Sequence, residues 1–226
     1  MFNLSPAWKS TYPEAIVGVL AMGGASNPSS HPELQAAKAA LEEELRTRYA
    51  GWDRAQLKAL PVMQAYEAYY KPFKKTYHVL QQIESVAFKG KSIPKVAALV
   101  ETMFMAELDN LLLTAGHDLD QVEPPVTIDV ASGDESYVRM NGDDQVLKAD
   151  DMMITDRRGI LSSIIYGPDQ RTRIRPETRR VLFTTYGPPG IEAGLMRAHL
   201  EQLRDNVLLV APGAETEAMQ VLDASG

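Results

Sequence analysis

Asp169, Arg171 and Thr172 fall within one short stretch of the chain. Together they offer a carboxylate, a planar guanidinium fork and a hydroxyl. Arg171 can hold a carboxylate or phosphate while Asp169 orients the fork or takes an ammonium. The same trio can instead form an internal Asp–Arg pair that pins a long loop, and the spacing leaves both readings open. The chain reaches them through Ile160-Leu161-Ser162-Ser163-Ile164-Ile165-Tyr166, an apolar run with strand character. Ser162 and Ser163 lack the Gly-x-Ser-x-Gly elbow of an exposed nucleophile, so they read as groups that line or satisfy a pocket. Strand alternation predicts that one points inward and the other outward.

Three further groups qualify as candidates. Asp144, in Asn141-Gly142-Asp143-Asp144-Gln145, can accept a hydrogen bond from a ligand hydroxyl or ammonium, although Asn-Gly-Asp is also simply a hairpin turn. His117-Asp118-x-Asp120 combines two metal-ligand types, but His31, His78 and His199 are scattered. It therefore reads as a loop with an Asp cap or turn residue, and no metal is expected. Lys91, in Lys89-Gly90-Lys91-Ser92-Ile93-Pro94, is a cation beside a helix start. Gly23-Gly24 is too short for a dinucleotide loop, and no cofactor is expected.

Tyr66, Tyr69, Tyr70, Lys71, Phe73, Lys74, Lys75 and Tyr77 interleave rings with charge. Such a segment can stack bases, but helical spacing of the rings favours a packed face with a solvated basic edge. The net charge of −7 opposes broad phosphate binding, so DNA is not an expected partner and any contact with RNA is local. With no cysteine in the chain, disulfides, thiolate metal sites and cysteine nucleophiles are excluded. Neither a spanning apolar run nor a signal peptide is apparent, which predicts a cytoplasmic protein without membrane contact.

The elements that must carry these residues divide at Pro124-Pro125. Before it, Ala15–Met22 reads as a strand buried on both faces. Ser30 and Glu33 read as a capping box opening a helix that stops near Gly51. That helix carries a Leu34, Ala37, Leu41 and Leu45 stripe and outward pairs Glu42/Arg46 and Glu44/Arg48. Further helices are predicted over 61–70, 77–88 and 94–110, after a short turn at 53–59. Beyond Pro125, strands are predicted at 126–131, 136–140, 151–155, 160–166 and 180–186, then a helix over 190–205. The tail, 210–226, is expected to fray. The class is α+β in one domain, 1–226, with helices of the first half packed on a mostly antiparallel sheet from the second half and one N-terminal strand.

From about Tyr12 to Leu209 the sequence resembles the B3/B4 editing domain of the phenylalanyl-tRNA synthetase beta subunit, in a free-standing form. The carriers are the opening strand and helix, Leu60-Pro61-Val62-Met63-Gln64-Ala65-Tyr66, Gly90-Lys91-Ser92-Ile93-Pro94, Asp118-Leu119-Asp120-Gln121-Val122-Glu123, Asp169-x-Arg171-Thr172 and Glu177-Thr178-Arg179-x-Val181-Leu182-Phe183. No ATP-binding motif accompanies them, so the chain is not a complete tRNA ligase.

The resemblance implies a B3/B4-type fold and binding of an amino acid or the acceptor end of an aminoacyl-tRNA. It leaves open whether mischarged tRNA is hydrolysed or the pocket is a non-catalytic, amino-acid-like sensor. Without gaps, the segment ending in Ile154-Thr155-Asp156 places Asp144 on the acidic position that reads a tyrosine hydroxyl. Ser162 and Ser163 fall at or beside pocket-lining positions. Ala115 stands where the family has histidine, with His117 two residues away, and Met103-Phe104 replace its Thr-Asn pair. The roles implied are Asp144, Ser163 and Asp169 against the amino-acid part, and Lys91 and Arg171 against phosphate or carboxylate. All of this requires that Asp144 and the residues around Asp169 project into one cavity.

Overall fold

The computed structural model describes residues 2–225. The class is α+β, and the strands are mostly antiparallel, but they form two main sheets and a ribbon in place of the single sheet expected. The first sheet has the order β11-β2-β10-β3, built from β2 (Ile16–Gly23), β3 (Leu113–Asp118), β10 (Val181–Gly187) and β11 (Glu215–Asp223), all antiparallel. β2 and β10 are central and buried along almost their whole length, which is why both are apolar without alternation. Helix α7 (Ala193–Val210) packs on β2 so closely that a Cβ on Gly18 would lie 2.5 Å from the Met196 sulfur.

The second sheet has the order β1-β4-β7-β8-β9, comprising β1 (Phe2–Leu4), β4 (Val126–Val130), β7 (Met152–Asp156), β8 (Gly159–Ser163) and β9 (Gly167–Pro168). Only the β1–β4 pair is parallel. β5 (Ser136–Val138) and β6 (Asp144–Val146) form a separate two-stranded ribbon. The sequence reading missed the short β1, β6 and β9, and also the six-residue β3. It also missed β11: the expected frayed tail instead pairs with β2 over nearly its full length. Gaining backbone hydrogen bonds along a sheet edge outweighs the weak propensity of Glu215-Thr216-Glu217.

Among the helices, α1 (Pro6–Thr11) is capped by Ser5, whose hydroxyl accepts the Trp8 N–H. In α2 (Pro32–Arg48) the predicted Ser30 capping box does not form. His31 is the N-cap, with no side-chain bond, and Pro32 occupies the first turn, where its missing N–H costs nothing. A capping box appears at Asp53 and Gln56, opening α3 (Arg54–Lys58). The pairs Glu42/Arg46 and Glu44/Arg48 form as predicted, but Glu42 is buried and its carboxylate accepts the Ile93 N–H.

Helix α4 (Pro61–Tyr70) matches its predicted span, and α5 (His78–Ile83) continues as a π-helical turn, Glu84–Phe88. The helix predicted from 94 starts later, as α6 (Ala98–Asn110), because Glu101 accepts the Val96 N–H and holds the lead-in extended. Glu101 also meets Lys38 at 2.8 Å in a buried ion pair.

The aromatic segment is core. Tyr66, Tyr69, Tyr70, Phe73 and Tyr77 are buried, and the Tyr66 and Tyr77 rings stack with centroids 4.0 Å apart. Three of the hydroxyls donate to main-chain carbonyls, Tyr66 to Tyr186, Tyr70 to Ile164 and Tyr77 to Leu111, and Tyr69 donates to Asp151. No ring of this set is free to stack a base. Lys71, Lys74 and Lys75 form the solvated edge.

Candidate binding site

Arg171 faces into the protein. Its guanidinium forms a two-point contact with Asp156 at 2.9 and 3.0 Å, donates to the Gln121 carbonyl at 2.8 Å, and lies 3.5 Å from Asp169. Burial alone would push the Asp156 carboxyl up. Hydrogen bonds from the Glu123 and Arg158 N–H groups and from Arg171 outweigh it and hold the group below the usual range.

Asp169 accepts from both the hydroxyl and the N–H of Thr172, and the Thr172 hydroxyl lies 2.8 Å from His117 Nδ1. Since Thr172 gives its proton to Asp169, His117 Nδ1–H is the donor in that contact. Complete burial lowers the His117 pKa to about 3, so the ring is neutral, and its Nε2 has no partner among the described residues. Asp118 caps the short 3-10 turn Leu119–Gln121 and accepts from Thr178 at 2.8 Å. Asp169, Arg171, Thr172 and His117 are thus brought together as the pin of the loop from β9 to β10.

The other candidates lie apart from this pin. Asp144 is exposed on β6 opposite Val138. Neither Asp144 nor Asp169 lines any of the hollows described below. The hairpin turn wins at Asp144 because its ribbon has one face open to solvent. Ser162 and Ser163 are both buried, against the expected alternation, because each face of β8 is covered. Ser162 pairs with the Tyr186 hydroxyl at 2.6 Å, and the Ser163 hydroxyl accepts the Tyr166 N–H.

The hollow that Ser163 does line is a cavity of about 370 Å³ between α6, β3 and the β8–β9 turn. Val100, Met103, Phe104 and Glu107 form one wall, at the spacing that puts four residues on one helix face. Leu113 to Gly116 of β3 form a second wall, and Ser163 to Pro168 a third, with Tyr186 and Ile174 completing it. Most of this lining is apolar.

Glu107 is the exception. It is 2% exposed, and burial raises its pKa to about 8 against one opposing hydrogen bond, from the Thr114 N–H at 2.8 Å. No lysine or arginine lines the cavity. Sequence reading passed over Glu107, which shares a helix face with the apolar Val100, Met103 and Phe104.

A second hollow of about 460 Å³ adjoins the first, sharing His78 and Phe104 with it, and is lined by Gln81, Ser85, Lys91 and Ser92 among others. Lys91 is exposed there. A third, of about 600 Å³, lies by Tyr12, Tyr69 and Lys148. Among the described residues no group of three or more His, Cys, Asp or Glu could hold a metal, and no helix is long and apolar enough to cross a membrane.

No protein-family model and no curated protein matches the chain. Among solved structures, an N-terminal fragment of the phenylalanyl-tRNA synthetase beta-subunit from Pyrococcus horikoshii is similar at 10% identity, with a TM-score of 0.49, over 98% of this chain and 50% of that one. The chain therefore spans about half of that fragment's length. The similarity is weak and confined to the level of the fold.

Proposed function

We propose that this protein carries a B3/B4-type domain that binds an amino-acid-like molecule, free or as the aminoacyl end of a tRNA, in the cavity between α6 and β3. The observation that carries the reading is the cavity itself. At about 370 Å³ it falls within the usual range for small-molecule sites, roughly 300–1,000 Å³. Its mainly apolar walls suit a hydrophobic side chain. The positions at which the sequence resemblance puts the family's histidine and Thr-Asn pair, Ala115 and Met103-Phe104, all line it.

Binding is better supported than hydrolysis. The hydroxyls in the lining are already engaged, Ser163 with the Tyr166 N–H and Thr114 with His199 at 2.7 Å. Burial lowers the His199 pKa to about 3, so its ring, behind Thr114, is a weak base for that hydroxyl, and Ser163 lies beside Asp151, whose carboxyl burial raises to about 7. Deacylation would then rest on positioned water and the ribose hydroxyl of the tRNA. The adjoining hollow with Lys91 and Ser92 favours this second reading, since it could take the sugar and phosphate of an acceptor end.

The test is thermal stabilisation by a panel of amino acids and their esters, run beside deacylation of correctly and wrongly charged tRNAs. A ligand at 100 times its dissociation constant should add about 2.7 kcal/mol of stability. Ala115→Phe, which fills the cavity, should remove that gain while leaving the unliganded protein folded. Asp144→Ala should leave affinity within about twofold, as an exposed substitution does. No stabilisation by any member of the panel, with no deacylation, would end the binding proposal.

A further inference from the structure

We infer that Glu107 makes this cavity a site for a hydrophobic ammonium ion, and that an amine entering it displaces a proton from Glu107 to solvent. The inference rests on the cavity being the binding site and adds the polar chemistry of the ligand. Glu107 is the only carboxyl in the lining, and no lysine or arginine stands there to pair with it or with an incoming carboxylate. One of its oxygens is held by the Thr114 N–H.

A ligand that is apolar with one positive end fits this arrangement. Its body meets Val100, Met103, Phe104 and Ala115, and its ammonium replaces the water that an ionised carboxylate needs. A free carboxylate in the same space would face Glu107 with no compensating charge. Carboxyl-masked amino acids and simple amines should therefore bind better than free acids.

Among the groups that line the cavity, Glu107 is the carboxyl that titrates near neutrality, while Asp151, raised by burial to about 7, lies behind Ser163 and outside the lining. Tyr66, Tyr70 and Tyr77, on α4 and the segment leading into α5, have pKa values raised by burial, and their hydroxyls donate to main-chain carbonyls. On β10 the Tyr186 hydroxyl is paired with Ser162 and is likewise raised by burial. From α7, His199 is neutral behind Thr114, and His78 and Tyr166 complete the titratable lining. Burial holds the empty-site Glu107 protonated up to about pH 8. Binding near neutrality thus converts a carboxylic acid and a free ammonium into an ion pair, with one proton released.

Isothermal calorimetry of 2-phenylethylamine and the neutral 2-phenylethanol, in buffers of different ionisation enthalpy, tests this. At pH 7 the amine should release close to one proton per molecule bound and the alcohol none. Amine affinity should weaken by close to tenfold per pH unit below about 8, while alcohol affinity stays flat.

Glu107→Gln should keep the Thr114 contact, abolish proton release and reduce the amine to the affinity of the alcohol. Phenylalanine methyl ester should follow the amine, and free phenylalanine should bind at least tenfold more weakly. If the ester binds and the simple amine does not, the ligand is an amino-acid derivative; if both bind alike, any hydrophobic amine suffices. Alcohol binding without an amine preference, or an amine that releases no proton from the wild-type protein, overturns the Glu107 inference and leaves the cavity reading standing. Binding of neither probe overturns both.

Discussion

Two contacts at the residue scale separate structural from functional chemistry. Arg171 and Asp156 form a pair whose carboxylate side chain is fully buried. Removing only the cation leaves that charge without its partner, at a cost of about 3–5 kcal/mol. Arg171→Met should therefore lower stability by that order in urea denaturation, while Arg171→Met with Asp156→Asn should recover part of the loss. If Arg171 instead held the ligand, Arg171→Met would weaken binding with little change in stability. Asp151 makes a different prediction. It is fully buried, its Oδ1 accepts from the Tyr69 hydroxyl at 3.0 Å, and Ser163 and the Ile165 N–H lie beside it. Burial raises its pKa to about 7 from an ordinary 3.8. The folded state thus keeps a proton that the unfolded chain gives up, so stability declines as pH rises from about 4 to 7 and is level above that. A shift of this size corresponds to about 4 kcal/mol, and Asp151→Asn should flatten the profile of urea midpoints across that window.

At the scale of elements, β11 makes the sharpest claim. It covers the outer edge of β2, where Ala218, Val221 and Leu222 pack against the main core while Glu215 to Glu217 stay exposed. Truncation after Gly213 removes these contacts, worth roughly 1 kcal/mol for each half-buried apolar side chain, and leaves an open central strand edge. The truncated chain should melt earlier and self-associate on gel filtration. A monomer with unchanged melting would show that the tail adds nothing. This strand was illegible because Glu215-Thr216-Glu217-Ala218 lacks β-branched or aromatic alternation; its pairing comes from a partner almost two hundred residues earlier. β2 and α4 were legible for the opposite reason, since an apolar run and a Pro-led helical stripe are local signals. The site divides in the same way. Ser163 was found because it interrupts an apolar strand. The pin of Asp169, Arg171 and Thr172 was legible as a cluster but not as a pin, because Asp156 reaches it only through the β7–β8 turn. Glu107 required knowing that the α6 stripe faces a hollow and not solid core.

At the scale of the whole molecule, the charge of −7 limits how RNA could be held. Several arginines are already paired: Arg180 with Asp120 and Glu217, Arg48 with Glu44 and Asp109, and Arg171 with Asp156. Under the proposed reading, Lys91, exposed in the hollow beside the cavity, would meet one or two phosphates of an acceptor end. For single-stranded RNA each neutralised phosphate contributes about −0.7 to the slope of log affinity against log salt. A stably aminoacylated RNA should therefore bind with a slope between about −0.7 and −1.4, and duplex DNA should not compete. Most of the affinity should survive at high salt and vanish with Ala115→Phe, because the cavity supplies it. A slope steeper than about −4 would require a broad basic face. The acidic balance and the paired arginines argue against one, and such a slope would move RNA recognition away from this cavity.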